Sequence, residues 1–424
     1  MILAKKMDKK DTSKLLIDGK GLLQLSEQQR LRWGLIPGAE FSVFDTPDGL
    51  LLRPTDPPLR KIYVEPTTDC NLCCRTCMRN SWNEPVGSME METYRRLLDG
   101  VRDVPSLQTI AFWGIGEPLL HPHIMEMVAL AKELGTNTEL ITNGVLLDRE
   151  MADGLIEAGL DTLVVSVDGA SPESQADIRG GADLRLIQEN VKGLQVARRA
   201  NSHDNPEIGI EFVLMRRNLS DLPELRRFAY SMDANFIILT NVLPYTEELK
   251  NEIIYGLSAG HFYSFQRSRW FPEIILPRLD ARMQNLNPIS KMLSHGGGID
   301  FLPTRYSKVD ERCPFVWEGA VAIAWDGELS PCVALMHSYT CYVLGREKFI
   351  RRYTLGNVAE ERVKTLWNGE KYRSFRKRVL KFDFSPCVYC GGCDLSDSNE
   401  EDCFYNTFPV CGDCLWARGI ILCP

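Results

Sequence analysis

The sequence predicts an α/β protein, a parallel sheet of strand–helix repeats followed by a cysteine-rich section. Three observations lead there. Six apolar runs of four to seven residues recur between residues 62 and 239, and five longer stretches with helical spacing of apolar residues separate them. Of fourteen cysteines, four fall in 70–77 and seven in 387–423. The 424 residues are 44% hydrophobic and 25% charged, the balance of an ordinary globular chain with room for two or three domains.

In chain order, residues 1–13 are polar and lysine-rich and read as an arm. Short strands at 15–17 and 22–24 flank a glycine-rich hairpin turn. Ser26 then caps a helix of about two turns, with Gln29 in the capping-box position. A second hairpin, 40–44 with 50–53, turns at Pro47-Asp-Gly49. This β-β-α-β-β order resembles the swapped-hairpin modules of AbrB-type regulators, which implies pairing as a homodimer through residues 1–56. The formal net charge of −8, with no arginine-rich set here, argues against a nucleic-acid role and for a simple appended module.

Residues 55–58 form a stiff, proline-rich linker. Beyond it, strands are expected at 62–65, 108–113, 138–141, 162–167, 208–214 and 236–239, with helices at 90–101, 123–134, 148–158, 183–200 and 221–232. Six strands with five intervening helices make either a doubly wound sheet or a partial barrel, and both put their chemistry at the C-terminal ends of the strands. The expected divisions are 1–56, 57–245, a bridging segment at 246–310, and 311–424.

The first strand runs into Cys70, Cys74 and Cys77, a C-x3-C-x2-C loop. A closed zinc site takes four ligands and an ordinary four-iron cluster takes four cysteines, so three thiolates leave one coordination position for a group that is not protein. Cys73 and Cys341 read as small buried hydrophobes instead. No catalytic acid or base stands out.

A C-x3-C-x2-C loop after the first strand of a βα sheet resembles the radical S-adenosylmethionine (SAM) superfamily. The resemblance implies a partial (β/α)6 TIM-like barrel, a 4Fe-4S cluster on the three cysteines, and SAM on the fourth iron, cleaved by one electron to a 5′-deoxyadenosyl radical that abstracts hydrogen. Gly114, Gly116, Glu117 and Pro118 resemble the family's Gly-Gly-Glu-Pro element, with Ile115 splitting the glycines; its backbone meets the SAM amino group. Asn143 ends the third strand. Ser166 and Asp168 end the fourth, where relatives reach the ribose. Arg179 stands where relatives face the SAM carboxylate. Thr76 replaces an aromatic found in many relatives.

Cys313, Gly327 and Cys332 fit the opening of the SPASM domain, which holds auxiliary iron–sulfur clusters. Cys387, Cys390, Cys393, Cys403, Cys411, Cys414 and Cys423 follow, and only the first CxxC keeps the domain's usual spacing. The nine cysteines suffice for one or two auxiliary 4Fe-4S clusters with one to spare, zinc being the competitor for any CxxC pair. The section is poor in regular pattern and is expected to be organised by metal. Val333 stands where sulfatase-maturing relatives carry an acid, which excludes that activity.

At finer level, residues 67–82, 241–248 and 399–419 resemble the maturases that accompany tungsten-containing aldehyde oxidoreductases. That implies a target in the oxidoreductase polypeptide or its tungstopterin, and an electron donor such as ferredoxin or flavodoxin. Two alternatives stand: a SPASM enzyme cross-linking a ribosomal peptide, and a zinc-holding DNA-binding regulator, under which the SAM elements have no purpose. No apolar run approaches the ~18 residues of a membrane span, and the first residues are too polar for a signal peptide, so a cytoplasmic protein is expected.

Overall fold

A strand buried on both faces needs apolar residues throughout, whereas one with a lumen face alternates. The six expected strands are near-continuous apolar runs, with Glu139 and Glu211 as charged residues inside them. In a computed structural model, which describes residues 16–17, 19–20, 23–33, 35, 40–46, 49–200, 204–255, 263–264, 273–275, 283–294, 302–303, 312–390 and 393–423, they are β1 (Lys61–Val64), β2 (Thr109–Phe112), β3 (Asn137–Thr142), β4 (Thr162–Ser166), β5 (Glu207–Leu214) and β6 (Phe236–Asn241). Ile62, Val64, Ile110, Phe112, Leu140, Leu163, Ile210 and Leu239 join one core with the surrounding helices. Lys61, Tyr63, Glu139, Ile141, Val164, Glu211 and Ile238 occupy the alternate positions, toward the lumen.

The helices between the strands are α1 (Met91–Val101), α2 (Ile124–Glu133), α3 (Arg149–Glu157), α4 (Pro172–Ile178), α5 (Leu184–Ala200) and α6 (Leu222–Ser231). The short α4 is absent from the sequence expectation because two turns are too few to show a period. Its start is nonetheless built by Ser171 and Ser174, which cap each other reciprocally.

The sheet is wider than six strands. β7 (Glu273–Ile275) pairs parallel with β6, and β8 (Ala320–Ile323) pairs parallel with β1. Eight parallel strands therefore run in the order β7-β6-β5-β4-β3-β2-β1-β8. They curl into an open barrel, since Ile141, Val164, Phe236 and Ile238 from β3, β4 and β6 meet in one cluster. The segment expected only to bridge thus supplies the parallel strand at one end and α7 (Met283–Ser294), and the cysteine-rich section supplies the parallel strand at the other.

That section also corrects the expectation of a tail organised by metal alone. It contains α8 (Pro314–Glu318), a hairpin of Tyr339–Val343 with Arg346–Ile350, α9 (Val363–Asn368) and α10 (Glu370–Lys381). Tyr372, Phe375, Arg376 and Val379 are the buried face of α10, at helical spacing that its many charges obscure. With Phe315, Val316, Leu366 and Trp367 they form apolar packing continuous with the barrel core.

Ahead of the barrel, Leu16–Ile17 pairs with Leu23–Gln24, Ser26 and Gln29 make the expected capping box, and Phe41–Thr46 pairs with Gly49–Pro54. The turns at 18 and 47–48 lie outside the described residues. No helix among the described residues is long and apolar enough to cross a membrane.

Arg376 is 1% exposed, stacks over Trp367 and Tyr372, and is neutralised by Asp56, whose Oδ1 accepts from Nε and Nη2 at 3.0 and 2.8 Å. Removing one partner leaves a buried cation unmatched, though Asp56 is partly solvated, which reduces the cost. Asp56→Ala should lower stability by about 2 kcal/mol, read from urea unfolding, while Asp56→Asn, which keeps an acceptor, should lose less.

Candidate functional site

The loop between β1 and α1 has little regular structure of its own, so its backbone groups must find partners elsewhere. Cys73–Cys74 forms a two-residue antiparallel ladder with Arg179–Gly180, after α4. Asn80 Nδ2 donates to the carbonyls of Cys74 and Arg75, and Glu117 N–H donates to Asp69 O at 2.7 Å. Thr68 exchanges bonds with Gly87 through both its backbone and its hydroxyl. Held this way, Cys70, Cys74 and Cys77 are half-buried and within electrostatic reach of one another, while Cys73 is exposed.

Burial pushes the Cys74 thiol up to about 12, with the Arg179 charge opposing and Asp168, Cys77 and Cys70 adding to the rise. Cys70 and Cys77 are raised by burial as well. Three crowded thiols of this kind lose protons only to a strongly binding cation. Donor chemistry and spacing fit three cluster ligands and leave a face open.

The other expected residues converge on that face from successive strand ends. After β2, Gly114 and Gly116 are compulsory: a Cβ at Gly114 would lie 2.4 Å from Glu65 Cγ, and one at Gly116 would lie 2.3 Å from Asp69 O. Pro118 is buried and starts a 3-10 turn. Glu117 is 2% exposed and fully engaged, accepting from Leu119 N, Thr142 Oγ1 and Asn143 N. Burial raises its pKa and these bonds hold it down. Glu117 therefore locks the turn after β3 to the turn after β2. Asn143, carried on that turn, donates from Nδ2 to Asn71 at 2.8 Å and lies 4.0 Å from Cys70 Sγ.

On the other side, Asp168 is wholly buried. One carboxylate oxygen pairs with Arg179 Nε at 2.7 Å and the other accepts Val213 N–H at 2.9 Å. Both oxygens are thus engaged by protein, and Asp168 acts here by aiming Arg179 beside Cys74. Ser166 Oγ instead donates to Glu211 Oε2 at 3.3 Å. Burial and the nearby Asp168 push Glu211 up to about 7, against the Arg179 charge and the Ser166 bond. Glu211 escaped the sequence expectation, although a lone carboxylate inside the apolar run Ile208–Leu214 was a usable signal.

The cysteine-rich section forms two groups. Cys313, Cys332, Cys411 and Cys414 line one cavity, walled by Phe315, Leu335 and Val410. Burial drives the Cys332 and Cys411 thiols well above their ordinary value and their mutual repulsion adds to it. Four thiols around an apolar cavity suit an iron–sulfur cluster. Cys341 lines the same cavity. Nearer the surface, Cys387 feels the charge of Cys403, with Cys393 exposed and Cys390 in the short helix Cys387–Cys390. Asp402 ties this second group together, accepting from Ser385 N, Phe404 N and Asn406 N.

Cys423 stands apart from both groups. It does not line the cavity; the segment carrying it enters the barrel. Asn241 Nδ2 donates to Ile420 O, Leu422 N donates to Thr240 Oγ1, and Leu422 packs on the lumen cluster of Ile141, Val164, Phe236 and Ile238. Cys423 Sγ accepts from Trp416 Nε1 at 3.0 Å, and burial followed by the Glu211 charge pushes its thiol up to about 12.

These features agree with what the chain is similar to. The radical SAM superfamily matches residues 64–229, and the SPASM iron–sulfur cluster-binding domain matches residues 313–394. The tungsten-containing aldehyde ferredoxin oxidoreductase cofactor-modifying protein of Pyrococcus furiosus is 32% identical over 373 residues, 86% of this chain and 97% of that protein. The PqqA peptide cyclase of Granulibacter bethesdensis is 25% identical over 84% of this chain and 85% of its own length. Streptococcus suis SuiB bound to SAM shares the fold, with a TM-score of 0.55 at 17% identity over 80% of this chain and 72% of that one. The chain belongs to the radical SAM superfamily, as a SPASM-domain enzyme in the family of the Pyrococcus cofactor-modifying protein.

Proposed function

We propose that this enzyme matures a tungsten-containing oxidoreductase, acting on its pterin cofactor or on the polypeptide that holds it. The observation that carries this is similarity running through both the barrel and the cysteine-rich section of a protein whose name states cofactor modification. Cys70, Cys74 and Cys77 would hold a 4Fe-4S cluster, which with SAM and one electron from a donor such as ferredoxin or flavodoxin would supply a 5′-deoxyadenosyl radical.

The chain's own residues prepare the site. Gly114 and Gly116 let backbone approach the SAM amino group. Asn143 spaces the third strand end from Cys70. Arg179, held by Asp168, offsets the negative charge gathered by three thiolates and a SAM carboxylate. Ser166 and Glu211 face the lumen as a hydroxyl–carboxylate pair suited to sugar hydroxyls. Leu422, Ile141, Val164 and Ile238 keep that chamber dry, which limits quenching of a reactive intermediate.

For the cysteine-rich section we assign Cys313, Cys332, Cys411 and Cys414 to one auxiliary cluster and Cys387, Cys390, Cys393 and Cys403 to a second, with Cys423 the spare. Peptide modification remains the second reading, favoured by the resemblance to a peptide cyclase.

Four outcomes are expected. Anaerobically reconstituted enzyme should hold about 12 irons per chain, and with reductant and SAM should form 5′-deoxyadenosine; Cys70→Ala, Cys74→Ala or Cys77→Ala should abolish that. A tungsten oxidoreductase should co-purify, whereas a small leader peptide would favour the second reading. Cys411→Ser should lose about four irons while Cys423→Ser keeps the full set. Finally, Glu211 binds its proton more tightly folded, at about 7, than at its ordinary 4.5, so it costs stability as pH rises through that interval. Glu211→Gln should flatten that part of the stability–pH curve, measured by chemical unfolding.

A further inference from the structure

Glu65 closes the first strand and is wholly buried, five residues ahead of Cys70. Its Oε1 accepts Ile115 N–H at 3.0 Å, and its Oε2 accepts Trp325 N–H at 3.3 Å. Gly114 lies against its side chain, and Gly116 packs on the backbone of Thr67–Asp69 just beyond it. Buried carboxylates need a partner of opposite charge, and here the partner comes from the cysteine-rich section. His337 Nε2 lies 2.9 Å from Glu65 Oε2, and His337 Nδ1 lies 2.6 Å from Glu84 Oε2. The imidazole is fully enclosed, with Trp82 against its face at 4.8 Å.

Two carboxylates on opposite ring nitrogens require both nitrogens to donate, which makes His337 an imidazolium. Burial opposes the charge, but the bonds to Glu65 and Glu84 overcome it and raise the group to about 9. Behind them the Arg352–Asp326 pair completes the charged surroundings: Asp326 faces His337 and Arg352 faces Glu84.

Other bonds extend the same junction. Ser338 N donates to Glu84 Oε1 at 2.7 Å. The loop after Glu84 returns at Gly87 to Thr67 and Thr68, and an added Cβ at Gly87 would strike the Trp325 ring at 2.3 Å. Four segments therefore meet: the turn into the cysteine loop, the glycine strip after β2, the loop at 82–88, and the stretch 325–338. Cys332, on the auxiliary cavity, lies five residues before His337 in that last stretch.

We propose that His337 is a positioning residue for SAM: through Glu65 it sets the Gly114–Gly116 strip, so the SAM pocket is complete only when the cysteine-rich section is docked. This rests on the strip meeting SAM as described above. His337 meets Glu65 rather than the glycine strip itself, so the imidazolium acts at one remove. It also makes the auxiliary half of the chain a requirement for binding SAM, separate from any part in electron transfer.

The test uses reconstituted full-length enzyme carrying His337→Ala or His337→Gln, with SAM alone as the probe. Iron per chain, KM for SAM in 5′-deoxyadenosine formation, and the change in the reduced cluster's electron paramagnetic resonance (EPR) spectrum on adding SAM are measured together. Both variants should keep wild-type iron. KM should rise by about tenfold or more in the alanine variant and less in the glutamine variant, and the EPR change should weaken, with kcat nearly constant. Wild-type affinity for SAM should fall as pH rises through about 9, where the imidazolium deprotonates, and the glutamine variant should lack that fall. A glutamine variant with full iron, wild-type KM and the wild-type pH profile would overturn the proposal. So would loss of iron from the cysteine loop in that variant, because His337 would then be scaffolding for the whole centre. Wild-type enzyme that forms no 5′-deoxyadenosine would instead refute the radical SAM assignment itself.

Discussion

Everything at the mouth of this barrel depends on how the irregular loop Cys70–Cys77 is gripped by backbone from other strand ends. Eight residues carrying three ligands cannot satisfy their own hydrogen bonds in helix or sheet. They borrow a ladder from Arg179–Gly180, a donor from Glu117 and a carbonyl clamp from Asn80. Two of these lenders have a second part in the site. Arg179 is bonded to the loop through its backbone and aimed through its side chain; Glu117 donates through its backbone and fixes Asn143 through its carboxylate. The cysteine loop and the turns around it are thus held by the same hydrogen bonds, and glycine is needed at both 114 and 116.

Much of this was legible because it is local. Strands read from apolar runs and helices of nine residues or more emerge within a residue or two of expectation, and the ends of those strands carry the motif residues. What escaped is short or nonlocal. β7 has three residues and β8 four, lengths at which an apolar run means little without its neighbours. The helix α10 hides its buried face among seven charges in twelve residues. The pair Glu65 and His337 is separated by 272 positions, and no spacing rule reaches that far.

Glu211 and Asp168 illustrate a different limit. Both are polar residues at or beside strands, where polarity is readable, yet what each does depends on side-chain partners. Asp168 pairs with Arg179 and accepts a backbone amide; Glu211 accepts a serine hydroxyl and feels Arg179 only at a distance, in a desolvated lumen. The protein thereby separates two nearby carboxylates, one spent on orienting a cation and one raised toward neutrality. Electrostatic partition of this kind recurs wherever like charges share a pocket.

The cysteine-rich section shows the same economy on a larger scale. Its helices pack on an apolar core and its strand β8 extends the barrel sheet, so the walls of the auxiliary cavity do not wait for metal. The buried thiols of Cys332 and Cys411 still resist ionisation, and metal binding must overcome that resistance by displacing their protons. Since the cavity is largely prebuilt, most of the binding energy remains available for ligation rather than for ordering chain. The turn leaving Cys332 then leads directly to His337, so order at the auxiliary cavity and order at the SAM strip share one short, fully buried path.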